Sequence, residues 1–146
     1  MSIETNKTIA KQAREEIYNT GKLEIADQIC DAQAVIRNHD PVTPDFGRGP
    51  QALKQVAQMY RTAFPDARCT VDEIVAEGDK VVARWTGRGT NTGPLGSNAA
   101  TGKKVEVTGV DLLKIVNGKI VECNTVWDAA GMLQQLGLGQ TLKASA

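Results

Sequence analysis

Neither sign of charge prevails in this chain: 17 Lys and Arg stand against 17 Asp and Glu. Without a basic block there is no signature of a nucleic-acid partner, and without an acidic run there is no solvating tail. Long apolar stretches are also missing, the longest being far too short to cross a membrane. Met1-Ser2-Ile3-Glu4-Thr5-Asn6-Lys7 lacks the basic and apolar regions of a signal peptide. A soluble, cytoplasmic protein is therefore expected. Cysteine is scarce: Cys30, Cys69 and Cys123 form no C-x-x-C pair, and they read as three small buried hydrophobes rather than zinc ligands. The single histidine, His39, argues against a His-rich metal site, and against a Ser-His-Asp triad of which it is not itself the member. No metal and no cofactor is expected.

What is present reads as one domain spanning residues 1–146, long enough to bury about 70% of its unfolded surface without staples. Residues 5–19 carry a helical stripe through Ile9, Ala13 and Ile17, with Arg14, Glu15 and Glu16 facing water. A short helix is expected from Lys22 to Cys30 and a short strand over Val35–His39. The loop from Asp40 to Gly49, with Pro41, Pro44, Gly47 and Gly49, is placed to act as a lid. Pro50 suits the first turn of a third helix, which Pro65-Asp66 ends. Strands follow over Ala67–Glu77, Lys80–Asn91, Lys103–Val116 and Gly118–Trp127, and Asn117-Gly118 predicts a two-residue type I′ hairpin. A terminal helix covers Ala129–Leu136, and residues 137–146 read as a mobile tail.

Helices followed by a run of strands indicate an α+β fold. The expected architecture is a curved antiparallel sheet wrapped around N-terminal helices to form a cone with one open pocket. Along the last strand, alternation puts Ile120, Asn124, Val126 and Asp128 on one face, with Glu122 at its wet end. If that face is the core face, Asp128 is a partly buried acid able to exchange protons near neutral pH. Asp128 is equally well placed as the N-cap of the terminal helix. Val121, Cys123 and Trp127 then face outward, which suggests a homodimer or higher homo-oligomer through the outer sheet face.

Seven motifs in order resemble the polyketide cyclase family named after SnoaL, within the nuclear-transport-factor-2-like superfamily. They are Asn38-His39-Asp40-Pro41, Gly49-Pro50 with Ala63-Phe64-Pro65-Asp66, Glu77 to Trp85, Gly89 to Gly93, Thr101-Gly102-Lys103, Asn117 to Glu122, and Asp128 with Gln135-Leu136-Gly137. The resemblance covers about residues 8–137. It implies the cone fold, a small hydrophobic or polyketide-like substrate, and Asp128 as the acid/base of an intramolecular aldol ring closure that needs no cofactor. The chain departs from the pattern at Asn91, where many members of the family carry histidine, and at Asp111, where a histidine or other polar residue is expected.

Asp111 and Asp128 are candidates for a carboxylate pair, because counting back from the Asn-Gly turn pairs Asp111 with Asn124. Two acids close together in a dry cone separate into an acid and a base. Asn91 and Asn124 are candidate donors to an enolate oxygen. His39 beside the lid, Tyr18 and Tyr60 at the rim, and Trp85 on the cone face are candidates for substrate binding. Related chemistries of the same cone stand beside cyclisation: hydroxylation of an aromatic polyketide, epoxide hydrolysis, or isomerisation. So does a non-catalytic, ligand-binding dimer domain.

Overall fold

A computed structural model describes residues 2–139. Ser2 opens the first helix, its hydroxyl accepting from Thr5 N–H at 3.0 Å. That helix runs through α1 (Ile3–Lys11), a π-helical turn at Gln12–Glu16 and α2 (Ile17–Thr20). Gly21, left-handed at φ 74°, closes it. Then come α3 (Ile25–Ile29), β1 (Cys30–Asn38) and α4 (Gly49–Ala63), with Pro50 in its first turn. Strands β2 (Arg68–Glu77), β3 (Lys80–Thr90), β4 (Lys104–Val116) and β5 (Lys119–Trp127) precede α5 (Ala129–Leu136).

The sheet order is β1-β5-β4-β3-β2. β2 to β5 form the expected antiparallel meander, and β1 adds to its edge parallel to β5. At the Asn117-Gly118 turn both residues take positive φ, 50° and 75°, as a type I′ turn requires. The helices lie across one face of this curved, open sheet. Their aliphatic stripes, including Ile9, Ile17, Ile25 and Ile29, meet Val81, Leu113, Ile115 and Ile120 in the main core. A second cluster, built on Phe64, Val105, Met132 and Leu136, closes the other end of the sheet. No helix among the described residues is long and apolar enough to cross a membrane.

The last strand differs from expectation in its parity. Val116 pairs with Lys119 and Ile115 with Ile120, but Lys114 pairs with Glu122, so Val121 is an extra, unpaired residue. This bulge reverses the alternation. Beyond it Cys123, Thr125 and Trp127 turn inward, while Asn124, Val126 and Asp128 turn away from the core. Asp111 accordingly pairs with Thr125, not Asn124. Cys123 and Trp127 are not part of the outer face as expected; Cys123 is buried.

The expected tail, 137–146, falls only partly within the described residues. Residues 137–139 terminate α5, with Gly137 left-handed and Leu138 N–H donating to Leu133 O at 2.8 Å. The remainder, 140–146, lies outside the described residues.

Candidate active site

Arg14 organises the interior of the cone. It sits in the π-helical turn, one of the positions where such turns carry functional side chains. Alternation along β4 brings Val105, Val107, Asp111, Leu113 and Ile115 to the concave face, as expected. There Arg14 and Asp111 form a buried bidentate pair, with Nε to Oδ2 at 2.9 Å and Nη2 to Oδ1 at 2.7 Å. Trp85 Nε1 and Thr125 Oγ1 also donate to Asp111 Oδ1, at 3.2 and 2.9 Å. The guanidinium carbon lies 4.1 Å from the Trp85 ring centroid and 4.8 Å from that of Tyr18. Removing one partner of such a pair strands a charge in the core and costs about 3–5 kcal/mol.

Two adjoining cavities share Arg14, Tyr18, Asn38, Val56 and Thr125 as walls. The larger, about 70 Å³, is mainly apolar, with Tyr60, Phe64, Trp85, Trp127 and Met132 among its lining. That is room for several waters. The smaller, about 30 Å³, is the one bordered by Asp111. Among the described residues, Asp111 is the one carboxylate on either wall.

Burial holds the phenol of Tyr18 in its neutral form, raising its pKa to about 12 against the opposing pull of Arg14. It raises Tyr60 still further. For Arg14 itself burial acts downward, but the charge and hydrogen bonds of Asp111 outweigh it, and the guanidinium stays firmly protonated.

The loop after β1 is tied to two residues that line this site, Tyr60 and Trp127. Asp40 Oδ1 accepts from Val42 and Thr43 N–H at 2.9 and 2.7 Å, while its Oδ2 accepts from Trp127 Nε1 at 2.9 Å. Thr43 and Tyr60 hydroxyls meet at 2.6 Å. Tyr60 and Trp127 pack edge to face, 5.6 Å between centroids.

The candidates from sequence divide sharply. Asp111, Tyr18 and Trp85 come together around Arg14. Asp128 does not join them: it is exposed and caps α5, its Oδ1 accepting from Gly131 N–H at 2.9 Å. The expected Asp111–Asp128 pair is therefore absent, because the Val121 bulge turned Asp128 off the core face.

Asn91 is buried and its side chain is fully engaged, by backbone groups and by the Thr101 hydroxyl. Its amide donates to Ala63 O and Gly93 O at 3.2 and 2.9 Å, and its oxygen accepts from Thr101 N–H at 2.8 Å. It ties the loop after β3 to the end of α4 and leaves no donor for a substrate. His39 and Asn124 bond each other at 2.9 Å on the outer side of the sheet, where Asn124 also donates to Glu122.

Two residues that line the cavities, Arg14 and Asn38, are not marked by the sequence pattern as candidates. Arg14 was expected in water, yet it lies on the i+4 row Ala10–Arg14–Tyr18, and that row was the available signal. Arginine's usual exposure overrode it. Asn38 lines both cavities, and no other described residue hydrogen-bonds its side chain. Only its place beside His39 marked it.

Residues 8–136 match the family model of the SnoaL-like polyketide cyclases, and the chain belongs to that family. It is 29% identical over 124 residues to the aklanonic acid methyl ester cyclase DnrD of Streptomyces peucetius, covering 84% of each chain. Among solved structures it resembles TsrD from Streptomyces laurentii, at 25% identity and a TM-score of 0.80, covering 94% of this chain and 98% of that one. It also resembles IdmH from Streptomyces antibioticus, at 32% identity and a TM-score of 0.75, covering 92% and 99%.

Proposed function

We propose that this member of the SnoaL-like polyketide cyclase family closes a ring in a small, largely apolar polyketide by intramolecular aldol addition, acting as a cytoplasmic homodimer. The observation that carries the reading is the apolar cavity adjoining a smaller one bordered by a single buried, hydrogen-bonded carboxylate, Asp111, the two sharing the Arg14 and Thr125 wall. Three free, buried thiols suit a reducing compartment. The outer sheet face, with exposed Val75, Leu112 and Val126, suits a second copy.

In the proposed reaction a C–H between two carbonyls gives its proton to Asp111. The freed electron pair forms a C–C bond to a second carbonyl carbon, and that carbonyl's π pair moves to its oxygen, which takes the proton back. Asp111 Oδ2 accepts one hydrogen bond, from Arg14, and so keeps a lone pair for this exchange. Such acid–base help is worth about 10²–10⁴-fold, and the remainder must come from folding the substrate.

The test is to offer aromatic poly-ketone esters to the protein and follow ring closure by chromatography and mass. An aldol adduct keeps the substrate's mass; a hydroxylated product is one oxygen heavier and would reject the reading in favour of oxygenation. Asp111→Asn should abolish closure. A second reading, a ligand-binding domain without chemistry, is favoured by the four hydrogen bonds already made to Asp111. Tight binding without turnover by the wild type would decide for it.

A further inference from the structure

We propose that Arg14 presents the cavity with an oxyanion-binding edge, so that the larger cavity selects the anionic form of apolar, oxygen-bearing rings: phenolates and the enolates of 1,3-diketones. For its use in a reaction this rests on the cyclase reading; the anion preference is a property of the cavity alone.

The geometry gives the buried ion pair a direction. Arg14 lines both cavities, whereas Asp111 borders only the smaller. The larger cavity therefore meets the positive end of the pair, in surroundings too apolar to screen it. Asp111 occupies Nε and one N–H of Nη2, two of the five guanidinium donors.

The Tyr18 ring and the Cys69 side chain line the larger cavity beside this guanidinium. Both feel it: burial raises the pKa of each, and Arg14's charge and hydrogen bonding pull against that rise. Trp85 and Tyr18 hold the cation by their ring faces, so its position is set before any ligand arrives. An oxygen entering beside Trp85 would thus meet a pre-oriented charged donor, which is the requirement for stabilising an enolate or alkoxide as it forms. Asn38, with its unengaged amide on the same wall, would hold a second oxygen.

The probe is 4-nitrophenol, whose phenolate absorbs apart from the phenol. The protein is titrated with it across pH and the bound fraction is read spectrally. The expected result is phenolate bound about tenfold more tightly than phenol, the worth of one charge-assisted hydrogen bond. The bound probe then ionises at lower pH than the free one. Arg14→Lys should keep part of the preference and Asp111→Asn should increase it.

Arg14→Met strands Asp111 and endangers the fold, so the double variant Arg14→Met/Asp111→Leu removes both charges together. It should bind phenol and phenolate alike. Equal or weaker phenolate binding by the wild type, failure of the wild type to bind the probe, or a preference that survives in the double variant would each overturn the proposal. Turnover of poly-ketones is scored separately: phenolate preference without ring closure rejects the cyclase reading and leaves Arg14's role standing.

Discussion

Trp127 and Asp40 meet beside the cavity, the indole N–H donating to the carboxylate at 2.9 Å, and so fasten the loop after β1 to the end of β5. A cavity of about 70 Å³ does not hold a multi-ring substrate, so the proposed cyclisation requires this latch to yield on binding. Trp127→Phe keeps the ring contact with Tyr60 and deletes the N–H. It should cost about 1 kcal/mol, because half-buried Asp40 regains water. Amides of residues 40–48 should exchange faster in hydrogen–deuterium exchange, and the KM for a polyketide should change more than kcat. Exchange identical to wild type would show that the bond holds nothing.

Asp128→Asn is expected to leave both ring closure and stability near wild type, since Asn caps a helix about as well as Asp. Asp128→Ala should lower stability by about 1 kcal/mol in urea unfolding, with kcat unchanged. Lost turnover in a folded Asp128→Asn protein would return the acid/base role to this residue.

Gly109→Ala should damage the cavity wall from behind. A Cβ there would lie 2.6 Å from Trp127 Cβ, and closer still to the Trp85 indole. Both tryptophans line the cavity. Overpacking of this kind costs about 1–3 kcal/mol. Tryptophan fluorescence should shift along with a lowered Tm; an unchanged spectrum and Tm would mean that the wall is softer than its packing implies.

The outer face of the sheet carries Val75, Val82, Leu112, Val110 and Val126, brought side by side through the pairs Val75–Val82, Val82–Leu112 and Val110–Val126. A charge at its centre, Leu112→Lys, should convert a dimer into monomers by light scattering at tens of micromolar, while leaving circular dichroism unchanged. A wild type that is monomeric at that concentration removes the premise.

Alkali should unfold the protein through its buried acids. Burial raises Cys30 and Cys123 from 9.0 to about 12 and Tyr18 from 10.0 to about 12. These groups stay neutral when folded and ionise first when unfolded. Their contribution is complete below about pH 9 and is lost as pH climbs toward about 12. Tm should fall steadily across that window, with thiol labelling appearing only as the protein opens. A flat Tm from about pH 9 to 11 would contradict the burial of these groups.

The chain's local chemistry was enough for most of its elements, but not for the junction of α3 and β1: the strand begins at Cys30, where a helix is expected, rather than at Val35. Pro50, Pro65 and Gly21 punctuate helices because each restricts or frees φ, and Asn117-Gly118 makes a hairpin because both residues tolerate positive φ. The α+β order, the concave face of β4 and the inward position of Asp111 followed from strand periodicity. What only the tertiary structure decided was parity and partnership.

One extra residue at Val121 exchanges the two faces of β5, and no local signal distinguishes a bulged strand from a regular one. That single step moves Trp127 to the cavity and Asp128 to the surface. Arg14 is the same kind of case: an arginine on a helix reads as solvated until a carboxylate on a strand 97 residues away offers it two hydrogen bonds. Charges are buried only in pairs, and long-range pairs form only when the chain is folded.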